Sequence, residues 1–183
     1  TSAIGGGYRD QLLALEHLSK LLPKDVKIFV KENPKQGSFS RGPLFFHRLS
    51  RIKSVVFVPS FADTNELTKK ALFIATVTGT VGWEALCLGK SVLVFGNAWY
   101  KKFPGVTLFS NDISFEKIIK NAPDNNKLKS AFNNLMILSH EGVIDRAYIR
   151  LVNDYNIKKN TIDTAKILVD LLLEKKDPTF VND

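Results

Sequence analysis

The chain has 183 residues, 44% hydrophobic and 24% charged, which is enough apolar material for a globular core and excludes a disordered or fibrous protein. Lys and Arg number 26 against 18 Asp and Glu, a net charge of +8 that favours an anionic partner without naming one. No apolar run approaches the roughly 20 residues that cross a bilayer, and the N-terminus lacks the charged start and apolar middle of a secretion signal, so a soluble chain is expected.

The chain opens "TSAIGGGYRD" without an initiator Met, from which we expect a piece of a longer protein. In "DQLLALEHLSKLLP" the leucines at 12, 15, 18 and 22 fall at helical spacing and Pro23 ends the run. "VKIFVK", "SVVFVP", "ALFIATV" and "SVLVFG" are β-branched and aromatic, and the spacing predicts four buried strands. Helices are predicted between them in "PLFFHRLSRI", in "DTNELTKKA" behind an Asp63 cap, and in "GWEALCLGK", which closes near Gly89. The alternation implies a Rossmann-like three-layer α/β/α domain with a mostly parallel sheet. After a short "VTLFS" only helices are predicted: "FEKIIKNA", "NKLKSAFNNLMILSH", "GVIDRAYIRLVNDY" and "TIDTAKILVDLLLEKK". Without repeats or linkers, residues 1–183 read as a single domain whose tail, 177–183, frays. The lone Cys87, in "EALCLG", cannot form an internal disulfide; it points to a buried helix and a reducing, cytoplasmic setting.

In open α/β sheets ligands settle at the carboxyl ends of the strands, where loops lead into helices. "ATVTGTVGWEAL" has that place. Thr78 and Thr80 can donate to phosphate oxygens, Gly79 and Gly82 let an anion approach the backbone, and Glu84 can accept two ribose hydroxyls. The same residues also fit a structural reading, with Thr80 as helix cap, tightly packed glycines and Glu84 as a favourable dipole charge. No P-loop lysine and no dinucleotide fingerprint is present.

The loop "KENPKQGSFSRG" follows a strand and carries Lys31, Lys35 and Arg41, so it fits an anion-facing loop or an ordinary solvated one. Trp99 and Tyr100 in "FGNAWYKKFPGV" can wall a base or sugar or serve the core. His17, His47 and His140 have no metal-site spacing, so no metal is expected and all three are taken as structural. Basic residues gather from Lys31 to Lys53, but no nucleic-acid-binding motif accompanies them, and nucleic acid is not an expected partner.

"VTGTVGWEALCLGKSVLVFGNAWYKKFPGV", with "KIFVKENP" and "GGGYRDQLLALEHLSKLLP", resembles the bacterial capsule polysaccharide biosynthesis proteins related to Kdo transferases, from about Gly5 to Val106. The resemblance implies the nucleotide-binding C-terminal half of a GT-B glycosyltransferase, with a nucleotide sugar, often CMP-linked Kdo, as donor and no separate cofactor. It further implies a saccharide acceptor held by an absent N-terminal half, which also supplies the catalytic base, and peripheral association with polysaccharide machinery at the inner face of the bacterial cytoplasmic membrane. That family usually carries His-Pro after the strand matching "KIFVKE", where the His holds phosphate; here the pair is Asn33 and Pro34. Asn donates a hydrogen bond but carries no charge, which leaves phosphate neutralisation to Lys31, Lys35 or Arg41. A non-catalytic assembly module and a sugar-nucleotide epimerase-like enzyme are the alternatives.

Overall fold

A computed structural model describes residues 3–33 and 41–175. Lys35 and the tail at 177–183 lie outside the described residues. The contacts divide the chain into two compact units, Thr1–Lys129 and Ser130–Asp183.

The first unit is α/β and Rossmann-like, as the alternation implied. After a 3₁₀ segment, Ala3–Arg9, it contains α1 (Gln11–Leu21), β1 (Ile28–Lys31), α2 (Pro43–Leu49), β2 (Val55–Val58), α3 (Thr64–Lys70), β3 (Ile74–Thr76), α4 (Val81–Cys87), β4 (Val92–Val94), β5 (Val106–Leu108) and α5 (Phe115–Lys120). Aspartates start α1 and α3. Asp10 accepts from the Leu12 N–H at 3.1 Å, and Asp63 from the N–H groups of Asn65 and Glu66 at 2.7 and 3.0 Å. Among the described residues all strand pairs are parallel, but they form two ladders, β1–β2 and β3–β4–β5. "VTLFS" thus supplies a fifth strand.

One core lies under α1. Ala14 and Leu18 meet Ile28 of β1, Val77, Leu93, Phe95, Ile113 and Ile118. β4 is buried throughout, whereas the prediction of four buried strands fails at β1 and β2. Phe29 and Val56 are register partners on one face, and they are 62% and 38% exposed. An apolar run records the character of a strand, while burial depends on whether a second layer covers it.

The basic stretch from Lys31 to Lys53 is neutralised in part by α1 and β1. Arg48 on α2 binds Asp10 at 2.6 Å and both carboxylate oxygens of Glu16 at 2.9 and 3.0 Å. The Arg48 guanidinium, by hydrogen bonding, holds the Asp10 carboxyl below its ordinary range. This contribution is present above about pH 4, the ordinary Asp value, and is lost as pH falls through the depressed one. Asp10→Asn keeps an N-cap side chain and removes the titration. Acid melts of this variant should therefore show a shallower loss of stability below about pH 4 than the parent chain.

Within the second unit, a 3₁₀ turn at Arg146–Leu151 is capped by Asp145, and α7 (Ile157–Leu172) is capped by Asn156. α6 (Asn125–Leu138) runs through the boundary between the units. The helix predicted over "GVIDRAYIRLVNDY" shortens to that six-residue 3₁₀ turn. Asn160 ties the Val143 backbone in both directions, at 2.8 and 3.0 Å, and Asp145 is extended, so the run starts late.

Candidate functional site

The turn between β3 and α4 is built by Thr76, which the sequence reading passed over. Its Oγ1 accepts the Gly79 N–H at 3.0 Å, and a Cβ on Gly79 would stand 2.9 Å from that oxygen. The turn is therefore tied to the last residue of β3. Thr80, at the N-cap position, is helical in backbone conformation and makes no side-chain cap bond. Its exposed hydroxyl donates to Glu84 Oε1 at 3.4 Å, one turn along. Capping requires an extended residue whose side chain folds back over the first turn, and Thr80 is not extended. Thr78 is half-buried, with its methyl placed where a Cβ on Gly96 would meet it at 2.9 Å.

Gly82 serves packing. A Cβ there would lie 2.8 and 2.9 Å from Cζ and Cε2 of Tyr100. Tyr100 is fully buried, and its hydroxyl donates to the Gly79 carbonyl. Burial, with the Glu84 carboxylate as second cause, pushes its phenol up to about 12. Tyr100 therefore stands behind the turn as its support. Trp99 is half-buried and packs against Trp83 at 5.1 Å between ring centroids, with Phe103 against both. Trp83 carries no signal in the sequence beyond its place next to Glu84.

Cys87 is exposed, which corrects the expectation of burial. The buried face of α4 is Gly82, Ala85 and Leu86, at helical spacing, and Cys87 and Glu84 fall outside it. Partial desolvation, and secondarily Glu84, push the Cys87 thiol up, away from thiolate character.

At the carboxyl end of β1, Lys31 is half-buried and Asn33 exposed. Arg41 is clamped. It bonds both carboxylate oxygens of Glu32 at 3.2 Å, donates to Gln11 Oε1, and lies over the Phe45 ring at 4.4 Å. Its charge is thereby balanced within the fold. His17 is held by the Tyr8 hydroxyl at 3.0 Å and stacks on Phe109. Among the described residues, no cluster of His, Cys, Asp or Glu could hold a metal ion, and no helix is long and apolar enough to cross a membrane.

A near-N-terminal contact adjoins the turn: the Asn97 N–H donates to the Ile4 carbonyl at 2.8 Å, and Gly96 N–H to Val77 at 2.9 Å. Thr78, Gly79, Thr80, Gly82, Glu84, Trp99 and Tyr100 thus share one locality around β3, α4 and the segment after β4, while Lys31, Asn33 and Arg41 group at the end of β1. A family model described as capsule polysaccharide biosynthesis protein matches residues 2–141. No curated protein matches the chain, and no solved structure does.

Proposed function

The chain belongs to the capsule polysaccharide biosynthesis protein family and serves capsule synthesis, and from that premise we propose that it binds the nucleotide-sugar donor of a glycosyltransferase. The observation that carries this reading is the exposed Thr80 hydroxyl, which does not cap its helix and stands one turn from the exposed Glu84 carboxylate after a parallel strand. Thr80 donates to the donor phosphate and Glu84 accepts the ribose hydroxyls. Trp99, at the rim of its aromatic cluster, walls the base or sugar. Lys31 and Lys35 supply the positive charge that Asn33 lacks, because Arg41 is already paired with Glu32. Charge gathers on the leaving phosphate during transfer, so preorganised donors and cations there favour departure. The acceptor and the catalytic base belong to the other half of a GT-B enzyme, working at the cytoplasmic face of the membrane.

Titration with CMP, UDP and GDP tests this reading by thermal shift. A ligand that binds only the folded chain adds RT ln(1 + [L]/Kd), about 2.7 kcal/mol at a hundredfold excess over Kd. Selective stabilisation by one nucleotide, CMP above all, is expected; no shift with any of the three overturns the reading. Glu84→Gln should weaken ribonucleotide binding by about 1 kcal/mol, and the 2′-deoxy counterparts by less, because a carboxylate bridging two hydroxyls loses most where both are present. Calorimetry on the paired nucleotides checks it, and equal losses would remove Glu84 from the ribose.

A further inference from the structure

Two parallel ladders share one core. Ile28, Val30 and Val55 from the first belong to the same apolar cluster as Ala75 and Leu93 from the second and Val77 just after β3, beneath Ala14 and Leu18 of α1. Yet among the described residues β1 bonds only to β2, and β3 only to β4. In a parallel ladder, the N–H and C=O of one residue point to the same side and those of the next residue to the other. The Ile28 N–H donates to Ser54 at 2.8 Å and the Ile74 N–H to Ser91 at 3.0 Å, while Thr76 accepts from Phe95 at 3.0 Å. The main-chain groups of Phe29 and Lys31, and those of Ala75, therefore face edges that carry no ladder among the described residues. Such edges, attached to a common core, are positions for another strand.

The path of the chain indicates which strand. Ile4 sits just past the carboxyl end of β4, where its carbonyl accepts from Asn97, and a Cβ on Gly96 would stand 2.9 Å from that carbonyl and 3.1 Å from the carbonyl of Val77. A strand running into Ala3 would end where β3 and β4 end, hence parallel to them, and would pass through the Ala3–Arg9 segment into α1, the helix that covers the core.

We propose that β1 and β3 are the inner edges of one sheet, completed by a parallel strand of four or five apolar residues in polypeptide joined to the N-terminal side of Ala3. The resulting order is β2, β1, the added strand, β3, β4, β5, which is the order of a doubly wound sheet. Covered on both faces, that strand would be a continuous Val, Ile and Leu run.

The test joins a designed Val-Leu-Ile-Val-Thr segment to Thr1 and compares it with a control carrying proline at two alternate positions. Amide exchange by NMR, thermal melting and size-exclusion chromatography are measured on both and on the parent chain. At least tenfold slower exchange at the Phe29, Lys31 and Ala75 amides, with a higher Tm and a monomer, is the expected result, and the proline control should show neither gain. If the extended chain does not fold, the same pentapeptide added in trans to the parent chain should protect the same three amides. Unchanged exchange at those amides in a folded extended chain or with added peptide, or protection that appears only in a dimer and vanishes on dilution, overturns the proposal.

Discussion

Gly82→Ala is expected to destabilise the fold by about 1–3 kcal/mol, the usual cost of forcing a methyl into a filled core. The added carbon would stand 2.8–2.9 Å from a tyrosine ring that has no exposed surface and no room to retreat. For a chain of this length that loss corresponds to a Tm lower by roughly 2–12 °C. Tyr100→Phe is expected to cost about 1–3 kcal/mol by a different route, because it removes the hydroxyl that satisfies the Gly79 carbonyl. The two changes act on the same contact. Tyr100→Phe also removes the atom nearest to the new methyl, so the double variant should be less unstable than the sum of the singles by on the order of 1 kcal/mol. Strict additivity in denaturant melts would mean that Gly82 and Tyr100 do not meet.

Tyr100 also carries an alkaline signature. Its phenol ionises near pH 10 in the unfolded chain and at about 12 in the fold, so the folded state holds the proton more tightly. The associated stability is fully present below about pH 10 and is lost as pH rises through the folded value. The parent chain should therefore lose stability more steeply than Tyr100→Phe above about pH 10.

Thr80→Val should weaken nucleotide binding by about 1–3 kcal/mol, roughly 5- to 150-fold in Kd, while changing fold stability by less than about 0.5 kcal/mol. The separation follows from the geometry, since the hydroxyl does not cap α4 and its partner among the described residues is the side chain of Glu84. Thr76→Val should behave in reverse. The Gly79 N–H then loses its acceptor, which is expected to cost about 1 kcal/mol of stability directly and affinity only through a looser turn. Calorimetry with paired denaturation on both variants reads the contrast. Unchanged affinity in Thr80→Val would end the phosphate assignment, and a loss of stability exceeding 1 kcal/mol would show that Thr80 holds the turn after all.

Local chemistry was legible where one residue acts on its neighbours. Asp63 caps α3 as its position before "TNEL" implied, and of the leucine stripe Leu12 and Leu18 are buried while Leu15 and Leu22 pack partly buried against the core. The family was legible too, because the "TGTVGWEAL" and "VLVFG" words are specific. What escaped depends on partners distant in sequence. Tyr100 and Gly82 meet across 18 positions, and no periodicity announces that one needs the other small. Arg41 and Arg48 look like free cations in a basic run until Glu32, Asp10 and Glu16 are brought beside them. The expected burial of Cys87 and the capping alternative for Thr80 failed differently. The buried stripe of α4 was computable from spacing and places Cys87 outside it, whereas a threonine before a helix suggests a cap only if its backbone is extended.

The clamp on Arg41 bears on how this region can change over evolutionary time. Glu32 and Arg41 tie together the two ends of the segment between them, with Gln11 and Phe45 holding the arginine in place. The free energy of closing a segment grows only slowly with its length, about 0.6 kcal/mol per doubling. Changes in the length of the sequence between Glu32 and Arg41 should therefore cost little in closure as long as the pair itself is kept. The Glu–Arg pair is thus a fixed mount, and relatives that keep it can differ in the sequence between the two residues without a new fold.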